Sequence, residues 1–330
     1  MKKTIFKIIA LLVILAGGVV SCKDKPDNIL TVDETPIAIA SEGGKYSITV
    51  ESNENWFAVV ENAENADWCT LDNSTGTGNG AITINIVKNP FFATRSATAK
   101  ITSGGVTRFV IINQEAAENP LPELDCEDEL YYYYDDEKKF YVDQLSLDEP
   151  FLKDWLLVGF VSRANDVEIV NYINQTGLFK PVNASDIWYH ARLQMYEHDS
   201  HLIFVNTKEQ KTCKQLKEII RTLEKSPIVT YANITLGHEE YGMPNFTNIV
   251  SWSQYFYVKV KDENDLSDLF AVIQETKTQF IKQDTFMPKW FMLSADKKSM
   301  GNALRMSQYF YETGKFVATT PDFIGSTVNR

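Results

Sequence analysis

The second half of the chain repeats itself, and no other feature restricts its fold as strongly. Trp155 to Phe160, followed by Asp166 and the run Val167 to Ile173, aligns with Tyr255 to Val260, Leu266 and the run Leu269 to Ile273. At a shorter spacing, Leu202 to Val205, a helix pattern bearing Leu216, Ile220 and Leu223, and Ile228-Val229 align with Trp290 to Leu293, a helix pattern bearing Leu304 and Tyr311, and Phe316-Val317. The change of spacing means extra residues in the first copy near Ile187 to His198, where Trp188, His190, Arg192 and Gln194 predict an added hairpin. In the second copy Leu266, Leu269, Phe270, Ile273, Phe280 and Ile281 fall on one helical stripe.

Each copy therefore reads strand, helix, strand or hairpin, helix, strand. That order predicts an α+β region of tandem ferredoxin-like (split βαβ) repeats over residues 151–240 and 250–325, with helices on one face of an antiparallel sheet.

Upstream, from residue 30 to 115, the periodicity is two rather than 3.6. Tyr46, Ile48 and Val50 alternate with polar residues, as do Ile82, Ile84 and Ile86, then Ala97, Ala99 and Ile101, before the closing Arg108 to Ile112. The breaks Gly43-Gly44, Thr75 to Gly80 and Gly104-Gly105 carry turn chemistry. Short strands so spaced predict an all-β, immunoglobulin-like sandwich, and the chain as a whole is multidomain.

The N-terminus carries a processing signal. Lys2, Lys3 and Lys7 are basic, Ile8 to Val20 is apolar, and Ser21-Cys22 supplies the small residue and thiol of a lipoprotein cleavage site. Residues 1–21 are expected to be a signal peptide, Cys22 the lipidated residue, and 22–29 a polar tether to the membrane. Lys23 and the acids after it resemble the surface-export signal of Bacteroidetes lipoproteins, so the expected location is the outer membrane, exposed at the cell surface. The formal net charge of -12 argues against nucleic acid as a partner.

Asn55-Trp56, Ala66-Asp67-Trp68, the glycine-rich Thr75 to Gly80, Asn89, Arg95-Ser96-Ala97 and Asn113-Gln114 resemble a BACON domain, an immunoglobulin-like module of Bacteroidetes. The resemblance implies carbohydrate binding. Trp56 and Trp68 have two readings, stacking on pyranose faces or filling the sandwich core. Phe91 and Phe92, in a loop marked by Pro90, are the other ligand-contact candidates, and a spacer role for the module stands beside the binding one.

Residues 116–130 shift to Glu, Asp and Pro and predict a solvated acidic linker, without the Asp-x-Asp-x-Asp-Gly loop of a calcium site. Residues 131–150, opening on Tyr131 to Tyr134, predict a covering β-hairpin. Cys69, Cys126 and Cys213 are far apart and form no Cys-x-x-Cys pair; one disulfide among them is open, and buried structural thiols are the favoured expectation.

Met287 to Ser294, Gly301 to Leu304, Tyr309 to Phe316 and Pro321 to Ile324 resemble the region that precedes the catalytic domain in Bacteroidetes subtilisin-like proteases. Leu202 to Asn206 and Ser226 to Asn233 are similar to the same region. Such prodomains are ferredoxin-like chaperones and inhibitors, so the resemblance implies that Gly325, Ser326, Thr327, Val328, Asn329 and Arg330 form a tail for a protease cleft. The chain ends where a protease domain would begin and carries neither a Gly-Thr-Ser-Met turn nor the other triad motifs.

His190, His198 and His201 read as exposed turn residues rather than a zinc site, and no phosphate-binding glycine loop opens a helix. The expectation is a non-enzymatic, cofactor-free surface lipoprotein acting as a binding or adaptor module for a glycan or a surface protein. Its alternative is a prodomain-like regulator of a subtilisin-like protease acting in trans.

Overall fold

A computed structural model describes residues 27–61, 67–126, 151–189, 201–239 and 246–329. The leader with Cys22, the tyrosine run, His190, Arg192, Gln194, His198 and Arg330 lie outside them.

The period-two region forms β1 (Leu30–Thr31), β2 (Ile37–Ile39), β3 (Gly44–Ser52), β4 (Asn55–Glu61), β5 (Cys69–Asp72), β6 (Thr75–Thr77), β7 (Gly80–Ile86), β8 (Arg95–Ser103) and β9 (Val106–Gln114). These strands make two sheets, ordered β1-β3-β7-β5 and β2-β9-β8-β4-β6. Successive strand residues point to opposite faces. Ile48 and Val50, Ile82 and Ile84, Ala97, Ala99 and Ile101, and Val110 and Ile112 are thereby buried together between the sheets.

Side chains, more than turns alone, explain the glycine-rich stretch. Gly78 has φ +69°, as a turn requires. Gly76 and Gly80 instead admit the Trp56 indole, because a Cβ on either would stand 2.3 or 2.8 Å from the ring.

The second half forms β10 (Phe151–Phe160), α1 (Asp166–Thr176), β11 (Ile187–Tyr189), β12 (His201–Asn206), α2 (Cys213–Glu224) and β13 (Val229–Glu239). The pattern then recurs as β14 (Phe246–Lys259), α3 (Ser267–Thr276), β15 (Gln279–Gln283), β16 (Trp290–Ser294), α4 (Ala303–Glu312) and β17 (Ala318–Asn329). Helix starts are set locally: Asn165 and Asn302 accept the third-residue N–H of α1 and α4, and Thr212 with Gln215 forms a capping box on α2.

Numbered within each copy, the strands lie side by side in the order second, third, first, fourth, all antiparallel. Pairing of β13 with β14 joins the copies into one eight-stranded sheet. One buried cluster holds Ile169 and Ile173 of α1, Leu216 and Leu223 of α2, Leu269 and Val272 of α3, and Leu304 and Phe310 of α4. A smaller cluster of Leu157, Leu202, Phe204, Tyr231 and Ile249 is formed by the strand residues of opposite parity.

Three expectations are corrected. The helical stripe does not extend to Phe280 and Ile281, which lie in β15. Lys277 takes a left-handed conformation, φ +57°, and the Thr276 hydroxyl turns back to the Val272 carbonyl, so α3 stops there.

The acidic linker is docked, although largely exposed, over its described residues. Asn119 donates to the Met300 carbonyl at 2.8 Å, Leu121 packs on the helix-side core, Glu123 pairs with Arg221, and the Leu124 carbonyl accepts from Lys217. Leu121 has apolar area to bury, and α2 supplies cations that match the linker's charge.

Cys126 and Cys213 are disulfide-bonded, with Cα atoms 5.7 Å apart, which leaves Cys69 as the free, buried thiol among the described residues. Residues 87 apart in sequence are brought together by the linker lying against the start of α2.

Candidate functional site

Two of the four aromatic ligand candidates belong to the core. Trp56 and Trp68 are only 4% and 6% exposed, so neither offers an indole face to a sugar. The Trp56 N–H donates to the Gly78 carbonyl at 2.8 Å, and the Arg95 guanidinium lies 4.4 Å from the Trp68 ring centroid. Arg95 also donates to the Gln114 side chain and to the Val87 and Lys88 carbonyls, while Gln114 donates to the Ala40, Ser41 and Val87 carbonyls. Buried Asn89 donates to the Ala93 and Glu115 carbonyls. The motif residues thus tie one end of the sandwich together.

Phe91 and Phe92 form a junction rather than a free loop. The Phe92 N–H donates to the Lys298 carbonyl at 3.2 Å, the Phe92 ring packs on the helix-side core, and the Lys298 ammonium lies 5.6 Å from the Phe91 centroid. The sandwich is seated on the loop between β16 and α4.

That loop also reaches the first copy. Lys297 donates to the Ser226 carbonyl at 2.6 Å, and its backbone N–H to the Thr230 carbonyl at 3.1 Å. Beside it, burial pushes the Glu224 carboxyl up to about 7, against the opposing pull of the Ala232 N–H and Lys297. Burial raises Asp296 in the same sense and lowers Lys297.

The proposed protease-contact tail is held by its own sheet. Gly325, Ser326, Thr327, Val328 and Asn329 pair with Val250, Ile249, Asn248, Thr247 and Phe246 of β14. Backbone groups engaged in this ladder are not available to another chain's cleft. His201, the described member of the histidine group, lies in β12 opposite Tyr189.

An exposed apolar set on the sandwich surface was not anticipated from the sequence. Phe57, Val59, Phe109 and Ile111 are 50%, 46%, 44% and 44% exposed on the outer face of the five-stranded sheet. They flank central β8: Val59 and Phe109 both pair with Lys100, Phe57 pairs with Thr102, and Ile111 with Thr98. Strand spacing sets Val59 and Phe109 roughly 10 Å apart. Lys100 lies within 3.9 Å of Glu61, adding a charged pair to the surface. The signal was present in the alternation, because Phe57 stands between inward Trp56 and Ala58, and Phe109 beside inward Val110.

A cleft lies on the opposite side of the α/β sheet from the helices. Tyr257, Trp290 and Met292 share a strand face, and the loop from Asp284 to Lys289 folds beside them around a cleft of about 300 Å3. The Asp284 carboxylate accepts the Phe286 and Met287 N–H groups, each at 2.8 Å, and the backbone of Asp284 and Trp290 closes the loop. Phe286 is 85% exposed and Met287 53%.

Among the described residues, Asp125, Cys126 and Cys213 bring three potential metal-ligating side chains together. The disulfide removes both sulfurs as thiolate ligands, so this group does not fit a cation site.

The fold defines a mostly β, multidomain protein in which helices α1 to α4 all belong to the α/β region. Residues 47–115 match the family model BACON, described as "Putative binding domain, N-terminal". Similar solved structures include a Bacteroides ovatus xyloglucanase in complex with a heptasaccharide: 15% identity, 29% of this chain and 20% of that chain covered, TM-score 0.25. A protein from Bacteroides thetaiotaomicron is 17% identical over 30% of this chain and 96% of its own, with a TM-score of 0.22. An S-layer protein, SbsC, is 15% identical, with 69% of this chain and 26% of that one covered and a TM-score of 0.22. The chain thus spans one fifth of the xyloglucanase. No curated protein matches it.

Proposed function

We propose that this chain is a non-catalytic lipoprotein of the cell surface, lipidated at Cys22 and held off the outer membrane by residues 22–29, whose sandwich binds glycan. The exposed stripe of Phe57, Val59, Phe109 and Ile111 carries the reading. Two apolar pairs, on β4 and β9, flank the polar Thr98, Lys100 and Thr102 of β8, and this alternation suits a saccharide with apolar faces and hydroxyl edges, for which the Lys100–Glu61 pair offers further groups. The α/β region, which we read as two ferredoxin-like units from its strand order, is the base on which the sandwich is seated.

Affinity electrophoresis of the mature chain through gels containing soluble polysaccharides tests this. At least one polysaccharide should retard the chain, and Phe57→Ser/Phe109→Ser should run as if the gel were empty. Absence of retardation throughout, or equal retardation of the double variant, would count against it.

The strand order of each copy also favours a second reading, regulation of a subtilisin-like protease in trans, with residues 325–330 leaving β14 to enter the cleft. Inhibition of such a protease by the mature chain, lost on deleting residues 325–330, would support it; no inhibition ends it.

A further inference from the structure

Strand pairing lays out the outer face of the five-stranded sheet row by row. Phe57, Thr102 and Thr107 form one row, Val59, Lys100 and Phe109 the next, and Glu61, Thr98 and Ile111 the third. The apolar residues therefore run corner to corner, from Phe57 through Val59 and Phe109 to Ile111, with Thr107 and Glu61 at the other corners. Strands lie about 5 Å apart and successive outward residues about 7 Å, so the apolar band is roughly 17 Å long. One pyranose ring covers a single row. A chain of several sugars is needed to follow the band from end to end.

Charge on this face is sparse and balanced. Of the outward positions on β4, β6, β8 and β9, Lys100 and Glu61 are the charged ones, and they lie 3.9 Å apart. The other polar positions offer hydroxyls and amides: Thr102 and Thr107 share a hydrogen bond at 3.3 Å, and Ser96 donates to Asn113 at 2.7 Å. At the margin stands a further acid, Glu34, whose carboxylate accepts the Phe109 N–H at 3.2 Å. Residues 27–115 carry eleven acids and five bases. Three of those bases are engaged away from the face, Arg95 with the Val87 and Lys88 carbonyls, Arg108 with the Leu30 carbonyl and Lys88 with Glu42. A carboxylate or sulfate brought onto the band would be dehydrated beside a lysine that Glu61 already neutralises. Sugar hydroxyls meet no such penalty, because the threonines both donate and accept.

Resting on the glycan reading above, we propose that this face selects uncharged, linear polysaccharides and rejects chains that bear uronate or sulfate. Several consecutive sugars lie with their apolar faces along the band from Phe57 to Ile111. Their hydroxyls reach Thr98, Thr102 and the Lys100–Glu61 pair.

Biolayer interferometry of the mature chain on immobilised polysaccharides tests the selectivity, in salt of about 0.15 M, where charges are screened beyond about 8 Å. Galactomannan, glucomannan and mixed-linkage glucan serve as neutral chains, and alginate, polygalacturonate and chondroitin sulfate as anionic ones. At least one neutral chain should bind and no anionic one. Oxidising the primary hydroxyls of the bound polymer to carboxylates should weaken binding at least about tenfold. Its oligosaccharides should compete where its monosaccharides do not, and Phe57→Ser/Phe109→Ser should lose the signal while keeping the wild-type melting temperature, since both rings are exposed. An anionic chain bound as tightly as any neutral one, an oxidised polymer bound as tightly as its parent, or equal competition by monosaccharide would overturn the selectivity and leave glycan binding standing. No binding to any polymer would overturn both.

Discussion

Trp56 and Phe57 are neighbours with opposite fates, decided by the two-residue period of β4. Trp56 fills the sandwich, with Gly76 and Gly80 cut back to receive its indole. Trp56→Ala should therefore cost about 3–5 kcal/mol, as for other large core aromatics. Gly76→Ala should be destabilising as well, because its methyl would enter the ring. Chemical denaturation of both variants checks the pair, and near-wild-type stability of either would show the indole to be less confined than described. Cys69 belongs to the same core, where burial pushes its thiol up to about 11. A thiol reagent at pH 8 should leave Cys69 unlabelled until the sandwich unfolds, and rapid labelling of native protein would contradict its burial. The core reading of Trp56 and Trp68 was legible in the sequence and agrees with their burial, whereas the exposed Phe57 beside Trp56 was overlooked although the same alternation points it outward.

Elements were legible where periodicity ran long, and misread where one residue broke it. The inward alternation of β3, β7 and β8 could be taken from sequence, whereas the end of α3 depended on the left-handed Lys277, a conformation that no apolar spacing encodes. The pairing of the tail was hidden for a related reason, since an extended segment looks the same in sequence whether its partner is another chain or β14. Deleting residues 325–330 removes five paired positions of β17 and should lower the melting temperature; an unchanged value would mean that the ladder contributes nothing there. The end of α2 carries a pH dependence. Burial raises the Glu224 carboxyl to about 7 from an ordinary value of 4.5, so the folded state keeps a proton that the unfolded chain loses. Its contribution is fully present below about pH 4.5 and is lost as pH rises through about 7. With Asp296, Lys297 and Arg221 as the charged neighbours in both proteins, Glu224→Gln should gain stability relative to wild type between pH 5 and pH 8. A relative loss over that interval would reverse the assigned sign.

For the whole molecule, the linker decides whether sandwich and α/β region act as one body. Composition marked residues 116–130 as a boundary, but charge alone could not show that Leu121, Glu123 and Leu124 have partners on the other unit. Nor could spacing choose among three cysteines separated by long intervals, because that choice follows from the linker's path. The Cys126–Cys213 bond closes a loop of 87 residues, for which chain entropy gives about 4–5 kcal/mol. Cys126→Ser/Cys213→Ser should markedly lower the denaturant midpoint for unfolding of the α/β region, while that of the sandwich, with its separate core, changes little. A single unchanged transition would contradict the separation of the two cores.

The central claim, that the sandwich's outer face meets the glycan, is tested most directly by amide NMR of isotopically labelled mature chain during titration with an oligosaccharide from a retarding polysaccharide. Shift changes should concentrate at Phe57, Val59, Lys100, Phe109 and Ile111 and be absent in Phe57→Ser/Phe109→Ser. Changes confined to the α/β region, or none at saturating oligosaccharide, would contradict it.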